Sequence, residues 1–137
     1  MPYTFFDHTG DIGVELAAPT AEGLFATAAL AFAEAVSETK NVEPRVTRTI
    51  RASGDGWPDL LNRFITELLV IFDEDRLLLP FVAIHELDDR GVVATAGGER
   101  YDEARHEGRT ELKAVTYHNL QAEKTAEGWR ATVVFDV

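Results

Sequence analysis

The sequence predicts an α+β fold in which two amphipathic helices pack on a mainly antiparallel sheet, as a single-domain sandwich spanning residues 1–137. Two stretches in the first half carry apolar residues on one stripe at helical spacing. The second half breaks instead into short apolar runs separated by turn residues, which is how successive strands read. Helices early and strands late is the order expected when helices cover one face of a sheet.

Ile12, Val14 and Leu16 alternate with Asp11, Gly13 and Glu15, the period of a strand with one buried face. Pro19 and Thr20 end it and offer a helix cap. From Ala21 to Val36 the residues Leu24, Phe25, Ala28, Ala29, Phe32, Ala35 and Val36 fall on one helical stripe. Val46 to Ala52 reads as a second strand, closed by Ser53-Gly54-Asp55-Gly56. Pro58 and Asp59 suit the first turn of another helix, whose stripe runs Leu60, Leu61, Phe64, Ile65, Leu68, Leu69 and Phe72. The acidic Asp73-Glu74-Asp75 is expected in the loop beyond. Strands then follow at roughly Leu77–Glu86, Val92–Ala96, Leu112–Ala122 and Trp129–Val137, with turns at Asp89-Arg90-Gly91 and Glu127-Gly128.

Composition narrows the function classes. The chain has 137 residues, enough to bury a core, and a hydrophobic content of 45%, ordinary for a soluble protein. No apolar run approaches a membrane span, and no basic segment followed by an apolar one stands at the start. A cytoplasmic protein is therefore expected. With 0 cysteines, disulfides, thiolate zinc sites and thiol nucleophiles are excluded. The 24 acidic against 13 basic side chains leave a net charge of −11, which repels phosphate backbones. The basic residues are scattered singly along the chain, so no direct nucleic-acid contact is expected.

Three polar clusters remain. Asp7, His8 and Asp11 crowd the entrance to the first strand. Carboxylate oxygens there suit a hard divalent cation, imidazole a transition metal, and the plain alternative is a turn with Asp11 exposed. In "ELKAVTYHNL" (111–120), strict alternation would place Lys113, Val115 and Tyr117 on one side, Leu112, Ala114, Thr116 and His118 on the other. Lys113 is either an ordinary snorkelling residue or an ammonium set against carboxylates. Asp136 stands next to Val137 and its terminal carboxylate, in a strand whose Ala131, Val133 and Phe135 share a face. Two anions so close repel unless a cation or lysine lies between them, and the apolar run up to Val137 argues that the terminus is tied into the sheet. The remaining patterns carry less. Thr95-Ala96-Gly97-Gly98-Glu99-Arg100 is equally a bulge or a turn, neither serine lies near a histidine in sequence, and the four histidines are widely spread.

These stretches together resemble the archease family, in order and over essentially the whole chain. "DHTGDIGVEL" is similar to the family's opening motif, "AEGLFATAALAF" and "LLNRFITELLVIFD" to its two helices, and "GERYD" with His106 to a middle segment. "ELKAVTYHNL" and the final "FDV" match its closing motifs. Gly10 stands in place of the usual Ala and Leu112 in place of Ile or Val, both conservative in size or polarity.

The resemblance implies a non-enzymatic protein cofactor of the GTP-dependent RNA ligase that seals tRNA halves and other broken RNAs. Archeases promote guanylylation and repeated turnover of that ligase. It further implies a divalent metal (Ca²⁺, Mg²⁺ or Mn²⁺) held by Asp11, Asp136 and the Val137 carboxylate, with Lys113 as a functional lysine beside them. Asp7 and His8 belong to the motif without being assigned as ligands. Two alternatives come from other classes: a small metal-dependent phosphoesterase or nuclease using Asp11 and Asp136, and a general chaperone-like interaction module.

Overall fold

A computed structural model describes residues 2–8 and 10–137, the side chain of His8 excepted. The chain runs β1 (Tyr3–His8), β2 (Asp11–Ala18), α1 (Ala21–Val36), β3 (Val46–Ser53), α2 (Trp57–Asp75), β4 (Leu77–Leu87), β5 (Gly91–Arg100), β6 (Ala114–Val115), β7 (Gln121–Thr125) and β8 (Gly128–Asp136). The expected α+β architecture is present, two helices on antiparallel strands. The strands divide into two sheets. The larger has the order β1-β2-β8-β6 with β7 also paired to β8, and the smaller has the order β3-β5-β4. Each helix touches both: α1 packs on β4 and on β2, α2 on β3 and on β7. The helices therefore lie between two sheets rather than on one face of one.

This placement explains the difference between the two helices. α1 buries residues nearly all round, among them Leu24, Phe25, Ala28, Ala31 and Phe32. A helix with a sheet on either side has little wet surface, and its alanines let both layers approach closely. Thr20 caps its start by accepting the Gly23 N–H at 3.0 Å. α2 buries the narrower stripe that its sequence shows, Leu60 through Phe72, and leaves Val70 exposed. Phe25 and Phe64 meet between the helices at 5.3 Å, and Phe32 reaches Phe135 of β8 at 6.1 Å. Fully burying such a ring stabilises by roughly 1.5–3 kcal/mol, so this aromatic row is a principal tie between helices and large sheet.

Three expectations need correction. Asp7 and His8 do not form a turn; they end β1, an edge strand paired only to β2. Tyr3 and Phe5 lie on the side of Leu16 and Val14 while the Phe6 ring covers Gly13 on the other face, so aromatics on both faces leave Tyr3-Thr4-Phe5-Phe6 with no alternation to read. Asp73 to Asp75 are not a loop but the last turn of α2. Carboxylates oppose the helix dipole there, but Asp75 is ion-paired to Arg48 at 2.9 Å, and left-handed Arg76 caps the helix with its N–H on the Phe72 carbonyl. Finally, 112–122 is no continuous strand; it holds the two-residue β6, a turn, and then the start of β7. Gly97 and Gly98 lie within β5, opposite a register shift in β4.

Candidate functional site

The hairpin β1–β2 closes with His8 opposite Asp11, and Gly10 between them adopts a left-handed φ of 83°. A residue without Cβ reaches that region at no steric cost. β2 then pairs with β8, Ile12 opposite Phe135, Val14 opposite Val133 and Leu16 opposite Ala131. These residues face the helices. One step beyond Ile12 and Phe135, Asp11 and Asp136 arrive at the same end of neighbouring strands and on the opposite face. Asp136 is exposed, Asp11 half-buried, and Val137 follows with about a third of its surface free. Register thus brings together two acids separated by most of the chain. Asp7 is on the other face: it pairs with Ile12 and lines a shallow hollow of about 320 Å³ with Phe5, Ile12 and Glu34. The His8 side chain and Thr9 of the opening motif lie outside the described residues.

Lys113 reaches the same end by a break in alternation. Its N–H donates to the Asp136 carbonyl at 2.8 Å, yet the register pairs Ala114 with Asp136. Two residues of this segment therefore stand opposite one, which is a β-bulge. The burial pattern agrees: Leu112 and Val115, three apart, are buried, and Lys113 between them is exposed. The alternation expected from sequence, with Lys113 on the side of Val115, is broken at this point. The bulge turns Lys113 away from the core, to the side of the sheet on which Asp136 lies. Its ammonium makes no ion pair among the described residues, so its proximity to the acids is one of backbone position.

α2 holds the chain where β6 ends. The Asn62 amide donates to the carbonyls of Val115 at 3.2 Å and Thr116 at 3.1 Å. The Thr116 hydroxyl accepts the His118 N–H, and Asn119 turns left-handed, so His118 belongs to a turn rather than a strand. Tyr117 lays its hydroxyl on Asp59 at 2.8 Å. That hydrogen bond, with some burial, raises the Tyr117 phenol above its usual range. The Asp59 carboxyl is held low, first by the Asp55 N–H and then by Tyr117.

The end of the sheet therefore presents Asp11, Asp136 and the chain terminus, with Lys113 beside them. Among the described residues no three His, Cys, Asp or Glu side chains converge into a metal-binding group. The two carboxylate side chains are hard oxygen donors that carry more negative charge than the one lysine offsets, a chemistry that would suit a divalent cation of the Mg²⁺, Ca²⁺ or Mn²⁺ kind. Among the described residues no helix is long and apolar enough to cross a membrane.

A second polar cluster has no counterpart in the residue-level reading of the sequence. Glu99, at the end of β5, is buried; it receives the His106 ring Nε2–H at 2.6 Å and the Arg45 Nε–H at 3.0 Å, and is ion-paired to Arg105. His106 Nδ1 accepts the Asp102 N–H at 2.9 Å, so the ring proton sits on Nε2. Burial pushes the Glu99 carboxyl up, but donors from His106, the Glu43 N–H and Arg105 outweigh it and leave the group below its usual range. Arginines scattered at 45 and 105 thus meet on one acid. The one sequence-level signal was the "GERYD" to His106 stretch, noticed only as a family segment.

Comparison with known proteins gives the family and the fold. The family model described as the archease protein family matches residues 3–137. Protein archease of Methanosarcina mazei is 34% identical over 139 residues, covering 98% of this chain and 95% of the relative. Protein archease of Sulfolobus acidocaldarius is 38% identical over 119 residues, 86% of each chain. The solution structure of Methanobacterium thermoautotrophicum protein 1598 superposes with a TM-score of 0.81 at 33% identity, covering 99% of both chains. The crystal structure of a Thermotoga maritima archease, described as a possible chaperone, has a TM-score of 0.69 at 20% identity over 96% of this chain and 94% of that one, a likeness of fold. Matched from its third residue to its last, and sharing the fold of a 33% identical relative, the chain belongs to the archease family.

Proposed function

We propose that this protein is a non-catalytic activator of a GTP-dependent RNA ligase, acting through a divalent cation at the Asp11–Asp136 end of the large sheet. The observation that carries the reading is the strand register that sets these two acids side by side, with bulged Lys113 next to them. Asp11, Asp136 and the Val137 carboxylate would hold the cation, which when bound supplies positive charge able to orient phosphate oxygens. Lys113, exposed and without an ion pair among the described residues, is available to a partner's anionic group. The net charge of −11 suits docking on a basic protein surface rather than on RNA, so the ligase and not the nucleic acid is the partner. A cytoplasmic setting follows from that role.

The test is transfer of labelled GMP onto the ligase of the same organism, with and without this protein and Mn²⁺. Stimulation is expected, and it is lost in the folded variants Asp11→Ala, Asp136→Ala and Lys113→Ala. Stimulation that survives all three would remove the assigned roles. Phosphoester hydrolysis by the protein alone would favour a metal-dependent hydrolase instead.

A further inference from the structure

Among the described residues four polar side chains are buried: Ser37 at 0% exposure and Asn62, Glu99 and His106 at 3% each. A buried polar group left unpaired costs about 1–3 kcal/mol, and an apolar residue of similar shape avoids that risk. Four such groups in an otherwise apolar interior therefore ask what they hold. Each of them bonds within or onto a single stretch of chain, residues 99–116.

The anchors follow one another along it. Glu99 and His106 bond to each other and pin the start of the stretch. The Ser37 hydroxyl donates to the Glu107 carbonyl at 3.0 Å, the Glu38 N–H donates to the same carbonyl at 2.9 Å, and the Arg109 N–H donates to the Val36 carbonyl at 2.9 Å. Arg109 also ion-pairs Glu34 at 3.1 Å. Beyond the bulge, Asn62 holds the carbonyls of Val115 and Thr116. Between these points the chain has little regular structure, and β6 is two residues long. A ladder that short sets no register by itself, so the position of the bulge must come from its flanks. Lys113 is the one lysine or arginine between Arg109 and Lys124.

We infer that Ser37, Asn62, Glu99 and His106 form a positioning set for Lys113, holding residues 99–116 from both sides so that the lysine is presented beside Asp136. The four act through the backbone that carries Lys113. The inference rests on the activator reading of that end, and deepens it by naming the residues that keep the site in register.

The experiment is amide hydrogen exchange followed by NMR on the full chain, comparing His106→Phe and Asn62→Leu with the wild type, and GMP-transfer stimulation with the same proteins. Asn62→Leu keeps the branching and His106→Phe keeps a planar ring, each slightly larger than the original, and both remove the directional bonds. Local opening predicts exchange of the Lys113 N–H faster by about tenfold or more, with the Val14 and Val133 amides of the β2–β8 ladder little changed. Mn²⁺ affinity stays near wild type, because Asp11 and Asp136 are untouched, and stimulation drops. Should His106→Phe not fold, Ser37→Ala and the conservative His106→Gln take its place, the second expected to restore part of the protection. Unchanged exchange at Lys113, or loosened exchange with full stimulation, overturns the inference. Absence of stimulation by the wild type itself defeats the activator reading, while the exchange data still decide whether the four residues position Lys113.

Discussion

The interhelical core and the 99–116 segment are held by opposite means. Around α1 and α2 the contacts are Phe, Leu, Ile and Ala packed between two sheets. Along 99–116 Leu112 and Val115 join that core, but most of the fixed points are hydrogen bonds and ion pairs, several of them buried. Apolar burial is proportional to area and non-directional, so it supplies stability without fixing any one group in place. A buried hydrogen bond has a preferred distance and angle, so it locates a particular atom at modest net gain. The difference teaches where this protein places its stability and where it places its precision: the first lies between the sheets, the second around the lysine.

The sharpest way to break the comparison is at the aromatic row. Phe64→Ala, at a residue with no exposed surface against Phe25, is expected to cost about 3–5 kcal/mol by denaturant unfolding. It should shift the midpoint of the whole transition, leaving no region selectively loosened. Asn62→Ala is smaller, about 1–3 kcal/mol, because it strands two carbonyls rather than opening a large cavity. Its effect should concentrate at Val115 to His118 in hydrogen exchange.

The acid side tests Glu99. Its folded carboxyl lies below the usual range, so the stability it contributes is complete above that range and is lost as pH falls through the lower folded value. Acidification is therefore expected to release 99–109 before the core. Arg45, Arg105, His106 and the Glu43 N–H are the groups that face Glu99, and Glu99→Gln should flatten this limb of the pH profile while lowering stability at neutral pH. Far smaller is Tyr117→Phe: the bond to Asp59 is at the surface, and its removal is expected to change stability by no more than about 0.5 kcal/mol. A large loss there would mean that the solvent-facing side of the segment, and not its buried anchors, does the holding.

Much of the fold could be read from the chain as written. The stripes from Leu24 to Val36 and from Leu60 to Phe72 became α1 and α2, and the alternation Ile12-Val14-Leu16 became the helix-facing side of β2. The misreadings share a cause. β1 shows no pattern because its aromatics lie on both faces, Tyr3 and Phe5 on one and Phe6 over Gly13 on the other. The DED stretch continued its helix, and its Asp75 pairs there with Arg48, 27 residues away. Residues 112–122 leave the strand at the turn of Thr116 to Asn119, with Asn62 of another element holding the Val115 and Thr116 carbonyls.

At the candidate site, residue types were legible and their arrangement was not. Asp11, Lys113 and Asp136 stood out as charges in apolar surroundings, and their motifs pointed to the archease family. That Asp11 and Asp136 share a face follows only from the β2–β8 register, and that Lys113 turns the same way follows only from a bulge. Asp7, as prominent in the sequence as Asp11, ended on the opposite face.

Local order needs only neighbours: helical and strand periodicity repeat within a few residues, so chain order alone decided two helices, the β2 face and the class of fold. Division into two sheets, the meeting of the acids and the presentation of Lys113 depend on hydrogen bonds between residues 50 to more than 100 positions apart. Such partners are chosen by packing in three dimensions, where a single step of register moves every side chain of a strand to the other face.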